Sequence, residues 1–261
     1  SSNSAGAMRF VLERQFGYPV TIIRADSMAR ADLSRYHTLI LPPGSASGYT
    51  RVLGTGGAEN LKRFVRDGGT LVGVGGALDY LRGSAIGLLS LKQEREATES
   101  PDSNEKEGAA DKSGKVDGST LSTEKEYLEF IGDSGEETGD VLGVLLRGKV
   151  DTDHWLTVGC ERGVNILYSG RTIYAPLTLD EGVNAGYLET PGKVFESGYL
   201  WDRLRKQLAF KPFLVSQTVG RGNVIGFVAD PAFRAQMDGN NLLLLNAVFR
   251  GPAHSRRAGG D

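Results

Sequence analysis

Two short, wholly apolar segments with a helical pattern between them constrain this chain more than any other feature. Residues 37–44 read "HTLILPPG" and residues 70–74 read "TLVGV". Between them Ala58, Leu61, Phe64 and Val65 recur at helical spacing, and Gly68-Gly69 supplies the stop. A strand that is apolar at successive positions is buried on both faces, which is the habit of parallel sheets. A strand–helix–strand unit returns its second strand parallel to the first. The second strand then runs into Gly73-Val74-Gly75-Gly76-Ala77, a glycine-dense turn, and Leu78-Asp79-Tyr80-Leu81 follows as the start of a helix. The expected fold class is α/β: a doubly wound, mostly parallel flavodoxin-like sheet with flanking helices.

The rest of the chain extends this grammar at both ends. Met8, Val11, Leu12 and Phe16 share a helical face, so residues 7–16 are expected to form an amphipathic helix that Gly17 ends. "PVTIIRAD" (19–26) reads as a strand, and "SMARADLSRY" as a short connection to the next one. A doubly wound sheet begins with a central strand, whereas this sequence begins in the helix that would follow it, so the first strand is expected upstream of residue 1. From Val141 the pattern turns β-rich. "VLGVLLRGKV", "NILYSG", "RTIYAPL" and "KVFESG" read as short strands, and "YLWDRLRKQLA" as a helix. "PFLVSQTVGRGNVIGFVAD" reads as a hairpin turning at Gly220-Arg221-Gly222, and "NLLLLNAVF" closes as a buried helix. The expected organisation is a single domain over 1–252 with a flexible tail, 253–261.

Residues 92–140 depart from this pattern, with 6 Lys/Arg against 15 Asp/Glu and very few apolar residues. Such a composition cannot bury enough surface to offset its ordering entropy, so a disordered acidic insertion is expected there, with "EYLEFIG" as a short helical turn. Elsewhere the composition mainly excludes. The chain has 261 residues, 39% of them hydrophobic, and a net charge of −2, enough for one sizeable core. Its basic residues are scattered, with no basic and aromatic stripe, so no nucleic-acid partner is expected. The longest apolar run near the end, Leu242–Leu245, is far too short to span a membrane.

The sequence withholds most catalytic chemistry. Its three histidines are His37, His154 and His254, and neither HxxE nor HExxH occurs, so no metal site is expected in this chain. The single cysteine, Cys160, excludes an internal disulfide. "DHWLTVGC" reads as strand-like, which would hold Cys160 roughly 20 Å from His154 and leave the thiol as a small buried hydrophobe. "GVGGAL" supplies two glycines of a dinucleotide-binding GxGxxG, but Leu78 stands where the third belongs. Glycines here also serve a tight strand-to-helix turn with close backbone packing.

"LILPPGSASGY", "LKRFVRDGGTLVGVGGA", "VDTDHWLTVG" and "GRGNVIGFVADPAFRAQMDGNNLLLLNAVFRGP" together resemble the class I glutamine amidotransferase-like domain. They are most similar to the version at the C-terminal end of certain bacterial zinc carboxypeptidases of the carboxypeptidase A superfamily. The resemblance covers roughly 7–90 and 141–252. It implies a strand-to-helix elbow G-x-C-x-G with a cysteine nucleophile, but that position here is Gly75, and Ala77 replaces the later glycine. The implied histidine of a late His-Pro-Glu context is replaced by Val228-Ala229-Asp230-Pro231. Gly44 matches the glycine that helps form the oxyanion hole, and His154 matches a loop histidine with a structural role.

The resemblance therefore implies a non-catalytic accessory domain, serving docking or ligand binding. Zinc and proteolysis would belong to an upstream peptidase domain of the same protein, with a periplasmic or extracellular location. A peptide or small molecule in the old elbow crevice would be lined by Gly44, Ser45, Tyr49, Gly75, Gly76, Asp230 and Arg234, with Arg234 anchoring a carboxylate. Two alternatives remain at this point: an active hydrolase or amidotransferase using unorthodox residues such as Ser45 with His154, and a pure interaction scaffold.

Overall fold

The computed structural model describes residues 2–95 and 141–256. The expected acidic insertion lies outside these residues except for Lys92–Arg95, and so do "EYLEFIG" and the last five residues of the tail. The chain builds one mixed eight-stranded sheet. Its strands are β1 (Thr38–Leu41), β2 (Thr70–Val74), β3 (Val141–Val150), β4 (Gly163–Gly170), β5 (Val183–Leu188), β6 (Phe195–Gly198), β7 (Pro212–Val219) and β8 (Gly222–Phe227). Their order is β1-β2-β8-β7-β5-β3-β4, with β6 also paired to β3.

Among the described residues only β1–β2 and β2–β8 are parallel. The hairpin β7–β8 turns the sheet antiparallel, and every later pairing keeps that sense. The class is α/β as expected, but the parallel portion is three strands and the antiparallel portion is larger. The reason is local: the Gly220 turn, at φ 62°, joins β7 to β8 directly and leaves no room for a crossover helix.

Among the described residues five helices flank the sheet: α1 (Ser2–Phe10), α2 (Ala46–Arg66), α3 (Ala77–Arg82), α4 (Asp202–Leu208) and α5 (Asp238–Arg250). Alternation along the central strands sends side chains to both faces. Leu71 of β2 and Val224 of β8 join Leu61, Phe64, Val65, Leu78 and Leu81 under α2 and α3. Val72, Val74, Ile225 and Phe227 join Met8, Val11, Leu243, Leu244 and Ala247 under α1 and α5. The parallel strands are thus covered on both faces, as their apolar runs require.

Several boundaries differ from the sequence reading. α1 starts at Ser2 and passes into a wide π turn over Val11–Gln15, so Phe16 ends up half exposed beyond it. α2 starts twelve residues before the apolar stripe predicts and bends at Gly54, whose φ of 58° and ψ of −169° are not helical. "PVTIIRAD" is not a strand: residues 17–24 have no regular structure, and a 3₁₀ turn covers Ala25–Arg30. No strand among the described residues pairs with it, and β-propensity without a partner does not make a strand.

"RTIYAPL" is likewise only a single bridge, Tyr174 to Gln93, and β5 over Val183–Leu188 takes the place next to β7. "DHWLTVGC" is a compact turn rather than a strand, closed by Thr157 N–H to His154 C=O and Cys160 N–H to Thr157 C=O. The start of the tail is also ordered. Gly251–His254 form a 3₁₀ turn, and Arg256 N–H bonds back to Arg221 C=O at 2.7 Å.

Candidate functional site

The carboxyl ends of β1, β2 and β8 gather the glycine-rich turns, the position at which doubly wound sheets hold ligands. β2 ends at Val74, and the chain reverses into α3 through Gly75 and Gly76. Gly75 has φ 54°, its N–H donates to Phe227 C=O at 2.8 Å, and its own C=O accepts from Leu78 N–H at 2.9 Å. This is a sharp strand-to-helix elbow with its apex residue in the left-handed region. The apex carries no side chain. A Cβ built on Gly75 would meet Pro43 at 3.5 Å and Val228 C=O at 4.0 Å, ordinary contacts.

Gly76 is different, because a Cβ there would stand 2.5 Å from the carbonyl oxygen of Gly44. The loop after β1 therefore presses its backbone directly onto the elbow. Tyr49 closes the same loop from the α2 side. Its ring lies against Gly44, where a Cβ would meet it at 2.9 Å, and its hydroxyl donates to Pro42 C=O. Burial pushes the Tyr49 phenol up to about 12, so it stays protonated as a donor. The ring stacks on Tyr80 of α3 with centroids 5.4 Å apart. Gly44, Tyr49, Gly75 and Gly76 thus form one packed unit.

Ser45 lies at its margin. It caps α2, accepting from Gly48 N–H at 3.1 Å, and is exposed. A serine bonded this way is a helix cap.

Asp230 and Arg234 follow β8 on the other side of the elbow. One Asp230 oxygen accepts from Ala232 N–H at 3.0 Å, while Oδ2 is buried without a hydrogen-bond partner. Burial raises the Asp230 carboxyl above its ordinary value, and the bonds from Ala232 and the Ser4 side chain only partly oppose this. Arg234 and Ala235 both have positive φ, at 49° and 55°. Two successive non-glycine residues in this region cost of order 1–3 kcal/mol each and concentrate at functional segments. Arg234 is exposed and its guanidinium lies 5.2 Å from the Phe233 ring centroid, so that aromatic face is its partner. α1 packs on this 3₁₀ turn and brings Ser4 to Asp230.

His154 stands elsewhere. Its Nδ1 accepts from Leu156 N–H at 3.2 Å, capping the turn, and burial lowers its pKa. Its ring leans on Trp155, which stacks on His254 at 4.7 Å. His254 closes the turn that begins at Gly251, which packs on Thr70 at the amino end of β2. Ser45 lies past the carboxyl end of the neighbouring strand β1. Ser45 Oγ serves Gly48 N–H and His154 Nδ1 serves Leu156 N–H, and no hydrogen bond joins the two among the described residues. Cys160 is half-buried, and burial pushes its thiol up.

No group of three or more His, Cys, Asp or Glu residues converges among the described residues. No helix among them is long and apolar enough to cross a membrane.

The class this geometry defines is α/β with a glutamine amidotransferase-like fold, and solved structures share it. A cytoplasmic protein of Salmonella typhimurium superposes with a TM-score of 0.55 at 12% identity, covering 94% of this chain and 85% of its own. A ThuA-like protein of Parabacteroides merdae gives 0.53 at 10% identity over 99% and 88%, and one of Bacteroides uniformis 0.50 at 15% over 96% and 83%. At these identities the likeness is one of fold. No protein-family profile matches the chain. No curated protein matches it either.

Proposed function

We propose that this chain is a non-catalytic amidotransferase-like domain that binds a ligand across the elbow, at the carboxyl ends of β2 and β8. The observation that carries this reading is the elbow itself. The backbone of Gly75 holds the geometry of a nucleophile turn, yet the apex has no side chain to attack a carbonyl. Three residues past the carboxyl end of β8 comes the buried Asp230 oxygen without a partner, in a segment with two strained residues. A protonated or ionised carboxyl in that position suits a ligand that brings an amide or amine N–H. The sequence resemblance supports the wider role, that of an accessory domain docked beside a zinc carboxypeptidase domain and exported with it.

Two measurements test the reading on the purified chain. Glutaminase and esterase assays are expected to show no turnover above buffer. Titration with glutamine and with a short peptide, followed by amide chemical shifts, is expected to move Gly75, Gly76 and Ala232, and Asp230→Asn to weaken binding about tenfold, the order of one charge-assisted hydrogen bond. Turnover that Ser45→Ala abolishes would overturn the non-catalytic reading. Saturating probe with no shift at these three residues would overturn the ligand site and leave the scaffold reading in its place.

A further inference from the structure

A second concave site lies at the end of α3 opposite the elbow. Arg82 closes that helix, and its Nε donates to Asp79 Oδ1 at 2.8 Å and its Nη2 to Gln93 Oε1 at 2.7 Å. The guanidinium also lies over the Tyr174 ring, 6.0 Å from its centroid. The Tyr174 hydroxyl donates to the same Asp79 oxygen at 3.1 Å. Gln93 and Tyr174 form a backbone bridge, flanked by Ala175 N–H on Lys92 C=O and Glu94 N–H on Ile173 C=O, both at 2.8 Å. A carboxylate, an amide and an aromatic face thus fix the Arg82 fork in place. A guanidinium carries five N–H donors, so Arg82 keeps further donors for a ligand.

The cleft beside Arg82 has a volume of about 510 Å³, within the range of small-molecule sites. Arg95 and Arg171 line it with Arg82, each from a different segment, and Glu94 is the one carboxylate among the described residues on its wall. That carboxylate is already matched. Lys211 Nζ lies 2.6 Å from its Oε1, and Gln207 Nε2 donates to its Oε2 at 3.3 Å. The same Gln207 group donates to Arg95 C=O at 2.8 Å and so ties the Arg95 backbone to α4. Asp79, behind Arg82, is matched by Arg82 and Tyr174. The nearby carboxylates are thus answered from within the fold, and the charge left over on the cleft is positive. Ile173 and Leu204, both buried, line it from beneath.

We infer that this cleft binds a small organic phosphate, its phosphate on Arg82, Arg95 and Arg171 and its organic part over Ile173 and Leu204. Guanidinium forks match phosphate oxygens two at a time, and their planes stack on flat rings, which a lysine does not do. A phosphate monoester carries close to two negative charges at neutral pH and three acceptor oxygens, so it answers a surplus of arginines better than a single carboxylate does. The inference rests on this cleft alone and is independent of any ligand at the elbow.

The test titrates the 261-residue chain with phenyl phosphate, inorganic phosphate and phenol at constant ionic strength and about pH 7.5, where the monoester is a dianion. Calorimetry gives the affinities and amide chemical shifts give the place. Phenyl phosphate is expected to saturate and to bind at least about threefold more tightly than inorganic phosphate, and phenol is expected not to bind. Shifts are expected at Gln93, Glu94 and Leu204, with Gly75, Gly76 and Ala232 unmoved, which separates this cleft from the elbow. Arg82→Gln and Arg95→Gln are each expected to weaken phenyl phosphate at least about fivefold. Arg82 also braces Asp79, so thermal melts accompany the titrations; if Arg82→Gln fails to fold, the exposed Arg95 decides through its own variant. Three results would each overturn the proposal: no saturation by phenyl phosphate, affinity no greater than that of inorganic phosphate, or wild-type affinity in the folded variants. Shifts confined to the elbow residues would reject this cleft as well.

Discussion

The two glycines of the elbow look alike in sequence and differ in what they tolerate. At Gly75 the obstacle is conformational, since its φ of 54° costs an L-residue about 1–2 kcal/mol while a Cβ finds room. At Gly76 the obstacle is steric, with the Gly44 carbonyl 2.5 Å away and no flexible side chain to yield. Gly75→Ala is expected to fold and melt a few degrees lower, whereas Gly76→Ala is expected to lose about 3 kcal/mol or more through displacement of the 42–49 loop. Thermal melts of the two variants check this, and equal losses would show that the Gly44–Gly76 approach is loose. The sequence displays this glycine cluster plainly. It does not show which glycine faces another backbone, because Gly44 lies thirty-two positions away and on a different strand end.

At the scale of elements, α5 does more than cover the sheet. Asn246, 6% exposed, donates from Nδ2 to Leu156 C=O at 3.0 Å and Val158 C=O at 2.9 Å, and Asn240 donates to Asn165 C=O at 2.9 Å. These bonds tie the His154–Cys160 turn and β4 of the antiparallel extension to a helix of the parallel core. Asn246→Ala leaves two buried carbonyls without that donor and is expected to cost about 1–3 kcal/mol. Its sign would appear as faster exchange at Thr157 and Cys160 together with a lower melting point. Unchanged exchange in that turn would show that Trp155 packing, not Asn246, holds it.

Elements with their own hydrogen bonds or a strong apolar period were legible in advance: β1, β2, the β7–β8 hairpin, α4 and α5. The misses share one cause. Residues 19–24 and 171–177 have strand-like composition, but a strand exists only through its neighbour. β5 was overlooked for the converse reason. "VNAGYL" carries a glycine and an asparagine, and it pairs because β3 and β7 flank it.

For the whole molecule, two half-buried titrating groups, Asp230 and His154, give opposite pH slopes. Asp230 has a raised carboxyl pKa, so its charged form is the one the fold disfavours, and its contribution weakens as pH rises from 3.8 through the raised value. His154 has a lowered pKa and its neutral Nδ1 is the cap, so its contribution is present above 6.5 and fades as pH falls through the lowered value. Asp230→Asn keeps an oxygen for Ala232 N–H and is expected to melt higher than the wild type at pH 7, with the difference vanishing near pH 4. His154→Asn retains a capping oxygen and is expected to remove the decline below pH 6.5. Melting curves from pH 4 to 8 separate the two; parallel curves for wild type and both variants would refute the assignment.

What the sequence determined by itself is local and covalent. It set the apolar strand-and-helix alternation of the α/β class, the glycines that permit a sharp elbow, and the absence of a nucleophile at its apex. Tertiary structure decided everything that depends on distance along the chain. It packed Gly44 onto Gly76, gave Ser45 and His154 separate capping roles, and buried an oxygen of Asp230. Periodicity reports which side of an element faces the core, but strand pairing and the approach of distant loops arise from contacts whose partners no local pattern encodes.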